Sequence, residues 1–224
     1  MEQAAGMQVY KKLTSLFLSV MKRVRTLFSP NFGLVYFQCD LSKPLPPLPV
    51  IKPFYIKEMD TRNEFQIKEW LSVINQAFKT NYSRTDFEKI ILTHPYYEVT
   101  HTYFLMDRDE CIGTVSEAYY RNNKKIGVTH MLGIKQEHRG KNFGKYMILY
   151  VLHQLKDHGY SYCEGESRLR HKKSLHIHFD FGFYPKKKAD YWNTKDNASF
   201  INQTISKLLF MLEYKKWSRQ GTPP

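Results

Sequence analysis

The chain has 224 residues, of which 42% are hydrophobic and 15% aromatic, and its net charge is +13. This length and composition allow one packed domain with extensions, and they argue against a disordered chain or two full domains. The three cysteines are scattered, no apolar run approaches the roughly 20 residues that span a bilayer, and the start lacks the order of a secretory signal. We therefore expect a cytoplasmic protein. The positive charge favours polyanions as binding partners. The sequence has no zinc-ligand spacing and no RNA-binding motif, however, and we do not expect a nucleic-acid partner.

The first 53 residues differ in pattern from the rest. Residues 9–28 carry apolar side chains at helical spacing, and five basic but no acidic residues lie between them. This pattern predicts a basic amphipathic helix that packs on its own domain or on a second subunit. There are two alternatives for residues 9–28: they make peripheral contact with a membrane, or they form an organelle-targeting segment. A strand at 34–39 and a stiff proline-rich linker, Lys43–Pro53, are predicted to follow.

From residue 54 the periodicities predict a strand, two helices and then three strands. Thr61 and Glu64 have the spacing of a capping box at the start of the first of these helices. Next we predict a loop with two glycines and a long helix that ends at about His158. A strand, a helix and a terminal helix are predicted after it. The order indicates an α/β domain at 54–195, with a mixed, mostly antiparallel central sheet flanked by helices. Residues 196–224 are predicted to form a C-terminal helical extension.

The loop before the long helix has the features of a phosphate site. It runs Gln-Glu-His-Arg-Gly-Lys-Asn-Phe-Gly-Lys from Gln136 to Lys145. The first N–H groups of a helix have no partner within the helix, and the helix dipole places partial positive charge there. Glycines allow a phosphate to approach those groups, and Arg139, Lys141 and Lys145 add full charges. The loop matches neither a Walker A motif nor a dinucleotide fingerprint, and we predict a pyrophosphate site.

The same residues resemble the acetyl-CoA loop of the GNAT superfamily of N-acetyltransferases, whose signature is [QR]-x-x-G-x-[GA]. Arg139 takes the first position and Gly144 the last, while Asn142 replaces the middle glycine. Asn tolerates a positive φ better than other residues with a side chain, so the turn can be kept. A second family signature, A-x-x-x-Y-x-x-x-G-F, resembles the stretch from Ser174 to Phe183.

The resemblance implies a single GNAT-like domain that uses acetyl-CoA as co-substrate and needs no metal. It implies transfer of an acetyl group to a primary amine, which we expect on a small molecule, by direct attack on the thioester. The alternative is a catalytically degenerate module that binds acyl-CoA. Backbone amides near Leu132–Ile134 are expected to polarise the acetyl carbonyl. The implied cofactor-binding residues are Leu132, Gly133, Ile134, Arg139, Gly140, Lys141, Asn142, Phe143, Gly144, Lys145 and His171.

His130 is the first candidate for the general base. A histidine normally titrates near neutrality, and this one lies at a position similar to a histidine of the arylalkylamine acetyltransferases. Glu117 is the second candidate, and Glu164 and Glu166 are further ones, as bases or as anions that bind the amine.

His178 takes the place of the tyrosine that acts as general acid in the family, and Tyr184 could substitute for it. His176 and His178 do not share a helix face, so the nearby histidines are not expected to bind metal. An acidic or aromatic acceptor is suggested by Tyr82, Tyr96, Tyr97, Tyr119 and Tyr120. A homodimer is compatible with the sequence.

Overall fold

A computed structural model describes residues 34–185 and 200–219. The predicted helix at 9–28 and the predicted boundary at residue 195 lie outside these residues. Seven strands and five α-helices are present in the described residues, with a π-helical turn at Glu88–Leu92 and a 3₁₀ turn at Gln136–His138. In chain order they are β1 Leu34–Asp40, β2 Tyr55–Glu58, α1 Glu64–Phe78, α2 Arg84–Phe87, β3 Tyr97–Asp107, β4 Glu110–Tyr120, β5 Asn123–Ile134, α3 Phe143–Asp157, β6 Tyr162–Arg168, α4 Lys172–Asp180, β7 Tyr184–Pro185 and α5 Phe200–Arg219.

The seven strands form one sheet in the order β2-β3-β4-β5-β6-β1-β7. Every neighbouring pair is antiparallel except β5 and β6, which are parallel. The predicted mixed, mostly antiparallel sheet flanked by helices is therefore confirmed. The parallel pair requires a crossover, and α3 supplies it.

Strand β1 belongs to this sheet, although the sequence analysis places it in the N-terminal extension. All seven of its residues pair with β6, from Leu34 opposite Arg168 to Asp40 opposite Tyr162. Phe37 is fully buried and packs edge-on against Phe183. The strand covers the edge that β6 would otherwise expose, and such an edge is a site for unwanted pairing.

Helices cover both faces of the sheet. Helix α3 packs on β4 and β5 from one face, where Met147, Val151 and Leu152 are fully buried. Helix α1 packs on the same two strands from the other face through Ile67 and Trp70. These contacts hold β4 and β5 between two apolar layers, so the site described below is built on a rigid support.

Helix α1 begins differently from the prediction. Asn63, not Thr61, is its N-cap: the Asn63 side chain accepts hydrogen bonds from the N–H groups of Phe65 at 3.0 Å and Gln66 at 3.2 Å. The predicted capping box is therefore wrong, because Asn63 is the last extended residue and its oxygen already reaches the free amides. A capping box does occur at α2, between Ser83 and Asp86.

Helix α5 lies against β1 and β7. Its Phe210 is buried and contacts Phe179 of α4, with ring centroids 5.6 Å apart. The described part of the chain contains no helix that is both long and apolar enough to cross a membrane.

Candidate active site

A cleft opens where β5 and β6 separate. The two strands pair only from Ile126 opposite Tyr162 to Val128 opposite Glu164. Beyond these residues β5 continues to Ile134 and β6 to Arg168, so the gap between them is not bridged by sheet hydrogen bonds. The cleft has a volume of about 2000 Å³ and extends to the head of α3. A gap between parallel strands, next to a helix N-terminus, is a usual place for a ligand in α/β proteins.

A β-bulge shapes the β5 side of the cleft. Thr114 of β4 faces Gly133 and Ser116 faces His130, so β5 carries an additional residue between these pairs. Met131 adopts a φ of 50°, which is unusual for a residue with a side chain. In the register of the described strands neither Met131 nor Leu132 faces a β4 residue, and both lie beyond the last β6 pair. Both residues line the cleft, so the bulge brings their main chain to its wall.

The head of α3 meets the conditions of a phosphate cradle. Gly140 and Asn142 have φ values of 86° and 61°, so the predicted left-handed conformation of Asn142 is confirmed. Asn142 is the N-cap but makes no capping hydrogen bond through its side chain. The N–H groups of Phe143 and Gly144 consequently receive no acceptor from the cap. Both residues line the cleft, as do Gly140 and Lys145.

The three predicted charges of the loop do not converge on this point. Arg139 donates hydrogen bonds to the carbonyls of Ile134 at 3.1 Å and Ala77 at 2.9 Å, so it fastens the loop to the ends of β5 and α1. Lys145 lines the cleft but forms an ion pair with Asp180. Lys141 is exposed and is not one of the cleft-lining residues. Arg139 and Lys145 thus both line the cleft, but each is held by a contact within the protein, and we attribute the cradle to the main chain.

The opposite wall carries basic residues that the sequence analysis did not select. Arg170, Lys172 and Lys173 line the cleft at the start of α4, together with the predicted His171. Burial and the neighbouring Arg170 and Arg168 lower the pKa of His171. The dense run of basic residues after β6 was the available signal, and it is too common on protein surfaces to be diagnostic alone.

His130 lies in the cleft, as predicted for a catalytic residue. Its ring contacts the rings of His94 and Tyr97, at centroid distances of 5.3 Å and 5.5 Å, and it is hydrogen-bonded to the backbone of Ile90. Burial, followed by the charge of His94, lowers the pKa of His130 to about 4. Its Nε2 is enclosed and has no hydrogen-bond partner among the described residues. The imidazole is therefore neutral at pH 7 and has an unused nitrogen.

Glu117 and Tyr184 are not brought to the cleft. Successive side chains of a strand point to opposite faces, so Glu117 lies on the α3 face while Ser116 and His130 share the α1 face. The Glu117 carboxylate is 1% exposed and is bonded to His158 and Tyr103. The hydroxyl of Tyr184 accepts a hydrogen bond from Gln38 at 2.7 Å, outside the cleft lining. The structure thus corrects the expectation that these two side chains act on a substrate there.

His178 lines the cleft but is poorly arranged as an acid. Its Nδ1 bonds the carbonyl of Ser174 at 2.7 Å, and because a carbonyl only accepts, Nδ1 must carry the proton. The ring is 5% exposed between Phe37 and Phe183, and burial lowers its pKa to about 4. Nε2 then holds a lone pair instead of a proton at neutral pH. This geometry does not support the predicted role of His178 as general acid.

The part of the cleft near His130 combines aromatic rings with carboxylates. Tyr82, Tyr96, Tyr97 and Tyr120 line it, while the fifth predicted tyrosine, Tyr119, packs against Tyr160 instead. The exposed Glu166 lies in the same lining, and Glu164 is buried beside it with a hydrogen bond from Tyr120. Aromatic faces and carboxylates together suit a cationic group better than an anion.

Comparisons with known proteins indicate the family and the fold of the chain. A family model described as the acetyltransferase (GNAT) family matches residues 65–183. A GCN5-related N-acetyltransferase from Sphaerobacter thermophilus is similar in structure, with a TM-score of 0.56 and 12% identity over 75% of this chain and 53% of its own. A GNAT-family protein from Novosphingobium aromaticivorans has a TM-score of 0.50 and 13% identity over 69% and 61% of the two chains. This chain therefore spans less than two thirds of either protein.

A chain of the NatC complex bound to Gag peptide and CoA is also similar. Its TM-score is 0.50 and its identity 20%, over 60% of this chain and 86% of its own. Comparison with curated protein sequences gives no match.

Proposed function

This chain belongs to the acetyltransferase (GNAT) family, and from that premise we propose that it transfers an acetyl group from acetyl-CoA to a primary amine. The observation that carries the proposal is the uncapped head of α3, which opens on the cleft between β5 and β6. A diphosphate there would receive the N–H groups of Phe143 and Gly144 and the favourable end of the helix dipole. The NatC structure, with CoA bound, supports the choice of carrier.

The thioester would lie along β5, between the head of α3 and His130. At the bulge, Met131 and Leu132 have no Cα partner in the register of the described sheet, and both line the cleft. Donors aimed at the position where negative charge develops are among the strongest contributions to catalysis. We assign the bulge to the acetyl carbonyl, and Arg170, Lys172 and Lys173 to the phosphate groups of the carrier.

The reaction needs one proton acceptor and one proton donor. His130 would take the proton from the substrate ammonium, and the free amine then attacks the carbonyl carbon of the thioester. When the tetrahedral intermediate collapses, the carbon–sulfur bond breaks and the electron pair leaves with sulfur. The nitrogen loses its second proton at the same time, and because His178 has no proton on its unused nitrogen, we assign to water the transfer of this proton from the nitrogen to the thiolate.

The acceptor would be a small amine that carries positive charge before it reacts. Glu166 is exposed in the cleft and can hold the ammonium, while the ring of Tyr97 provides an apolar wall beside His130. This arrangement favours a cationic acceptor over the acidic one considered from sequence. The hydrogen bond from Tyr120 would keep the buried carboxylate of Glu164 in place beside Glu166.

A thiol-release assay with the full chain, acetyl-CoA and a panel of amines tests the proposal. We expect CoA release that depends on a small primary amine, and mass spectrometry should identify the acetylated amine. Release with peptide amines alone would contradict the small-molecule acceptor. Binding of acetyl-CoA without release by any amine would contradict catalysis and favour the alternative, an acyl-CoA-binding module.

A further inference from the structure

Three side chains with metal-ligating atoms meet outside the cleft. His101 comes from β3, Glu117 from β4, and His158 is the first residue after α3. One donor atom from each lies within 4.8 Å of the other two. No local spacing in the sequence links positions 101, 117 and 158, which is why the sequence analysis expects no metal here. The sheet and the end of α3 bring them together.

Two of these side chains are oriented by neighbours. Nδ1 of His101 is 2.8 Å from a carboxylate oxygen of Glu58, and the Tyr103 hydroxyl donates to Oε2 of Glu117 at 3.3 Å. A carboxylate that holds one imidazole nitrogen fixes the ring and makes the other nitrogen a better ligand. His101 therefore retains Nε2 for an additional partner, while the second oxygen of Glu117, Oε1, faces His158.

The charge of the cluster also favours a cation. Glu117 is 1% exposed, and in the described part of the chain its ion-pair partner is a histidine, His158, whose Nδ1 lies 2.8 Å from Oε1. A buried carboxylate requires compensating positive charge. The cluster adjoins the C-terminal end of α3, where the helix dipole stabilises cations.

An ion could reach these residues from solvent. The side chains of His101 and His158 are 35% and 42% exposed, and their rings stack with centroids 5.4 Å apart. Tetrahedral Zn²⁺ with ligands at about 2.1 Å needs donor atoms about 3.4 Å apart. Binding of Zn²⁺ therefore requires the donor atoms to approach by up to about 1.4 Å, which the partly exposed imidazole of His158 and a joint shift of His101 with Glu58 would allow.

We propose that His101, Glu117 and His158 bind a divalent transition metal, best matched by Zn²⁺, with water as the fourth ligand. Two imidazoles and one carboxylate are a common zinc ligand set. The ion takes the place of the proton between His158 and Glu117, and that proton is released to solvent. The bound metal joins β3 and β4 to the C-terminal end of the helix whose head faces the cleft.

Calorimetric titration of the chelator-treated full chain, without a histidine tag, with Zn²⁺ tests this site. We expect saturable binding of one equivalent, proton release and a higher melting temperature. His101→Gln should keep the metal-free melting temperature and lose the rise on metal binding. His158→Gln, which removes the ion-pair partner of the buried Glu117, should lower the metal-free melting temperature and also lose the rise. Glu117→Gln should abolish the one-equivalent binding. Glu58→Gln should weaken it by about 10- to 100-fold, since Glu58 acts through His101.

Glu137→Gln is the matched control, because Glu137 belongs to a second, more exposed group with Glu110 and His138. That variant should bind Zn²⁺ as the wild type does. The proposal is overturned if the wild type shows no saturable binding, if the His158 and Glu117 variants bind normally, or if Glu137→Gln removes the binding instead.

Discussion

Replacing His130 by alanine is expected to lower kcat by about 10²- to 10⁴-fold, the usual contribution of a general base. The binding of acetyl-CoA should change little, because His130 lies near the bulge of β5 and not at the head of α3. Steady-state thiol release at saturating acetyl-CoA and amine measures the effect. A kcat close to that of the wild type would exclude His130 as the base.

His153→Ala is the matched control for this substitution. His153 lies on α3 outside the cleft lining, and its ring is hydrogen-bonded to the carbonyl of Pro46 at 2.8 Å. The same loss of an imidazole should leave kcat nearly unchanged there. A comparable fall in both variants would show that the effect of His130→Ala is structural.

The pH profile provides a second readout of the same role. Burial and His94 lower the pKa of His130 to about 4, so the ring is neutral and active above that pH and becomes protonated as the pH falls through it. The acid limb of kcat should therefore lie near pH 4, not near the ordinary histidine value of about 6.5. His94→Ala should move the limb to higher pH, because both the charge and part of the enclosure are lost.

Gly144→Glu is expected to abolish acetyl-CoA binding at concentrations that saturate the wild type. A Cβ at this position would lie 3.3 Å from Cδ1 of Ile177, a flexible side chain that can move, so the fold should tolerate the change. The added carboxylate would occupy the cradle and compete for the N–H groups that the diphosphate needs. Calorimetry with acetyl-CoA measures the loss.

Gln154→Glu adds the same charge to the same helix at its other end. It should bind acetyl-CoA as the wild type does, because Gln154 lies three turns from the cradle in the fifteen-residue helix α3. Normal binding by Gly144→Glu would mean that the diphosphate lies elsewhere. Equal loss in both variants would point to general destabilisation of α3.

The cradle could be predicted from sequence because its signals are local. Gly140 and Asn142 follow a strand and precede a helix, Gly144 is the second residue of that helix, and such backbone conformations depend on neighbours within a few residues. The order of strands and helices could be predicted from sequence for the same reason, because hydrophobic periodicity is a property of short segments.

The catalytic candidates were harder because their environment is set by distant residues. Which face Glu117 occupies depends on the register of β4 against β5, and the bulge at Met131 interrupts that register. His178 is enclosed by Phe37 of β1, a strand that lies before the proline-rich segment and reaches β6 only in the folded sheet. No pattern near residue 178 indicates this contact.

Amide hydrogen exchange at the head of α3 tests the central claim most directly. If main-chain donors hold the diphosphate, the amides of Phe143, Gly144 and Lys145 should exchange markedly more slowly in saturating acetyl-CoA. They should not do so with S-acetylpantetheine, which carries the thioester but no diphosphate. Unchanged exchange at these amides, when calorimetry shows that acetyl-CoA is bound, would contradict the account.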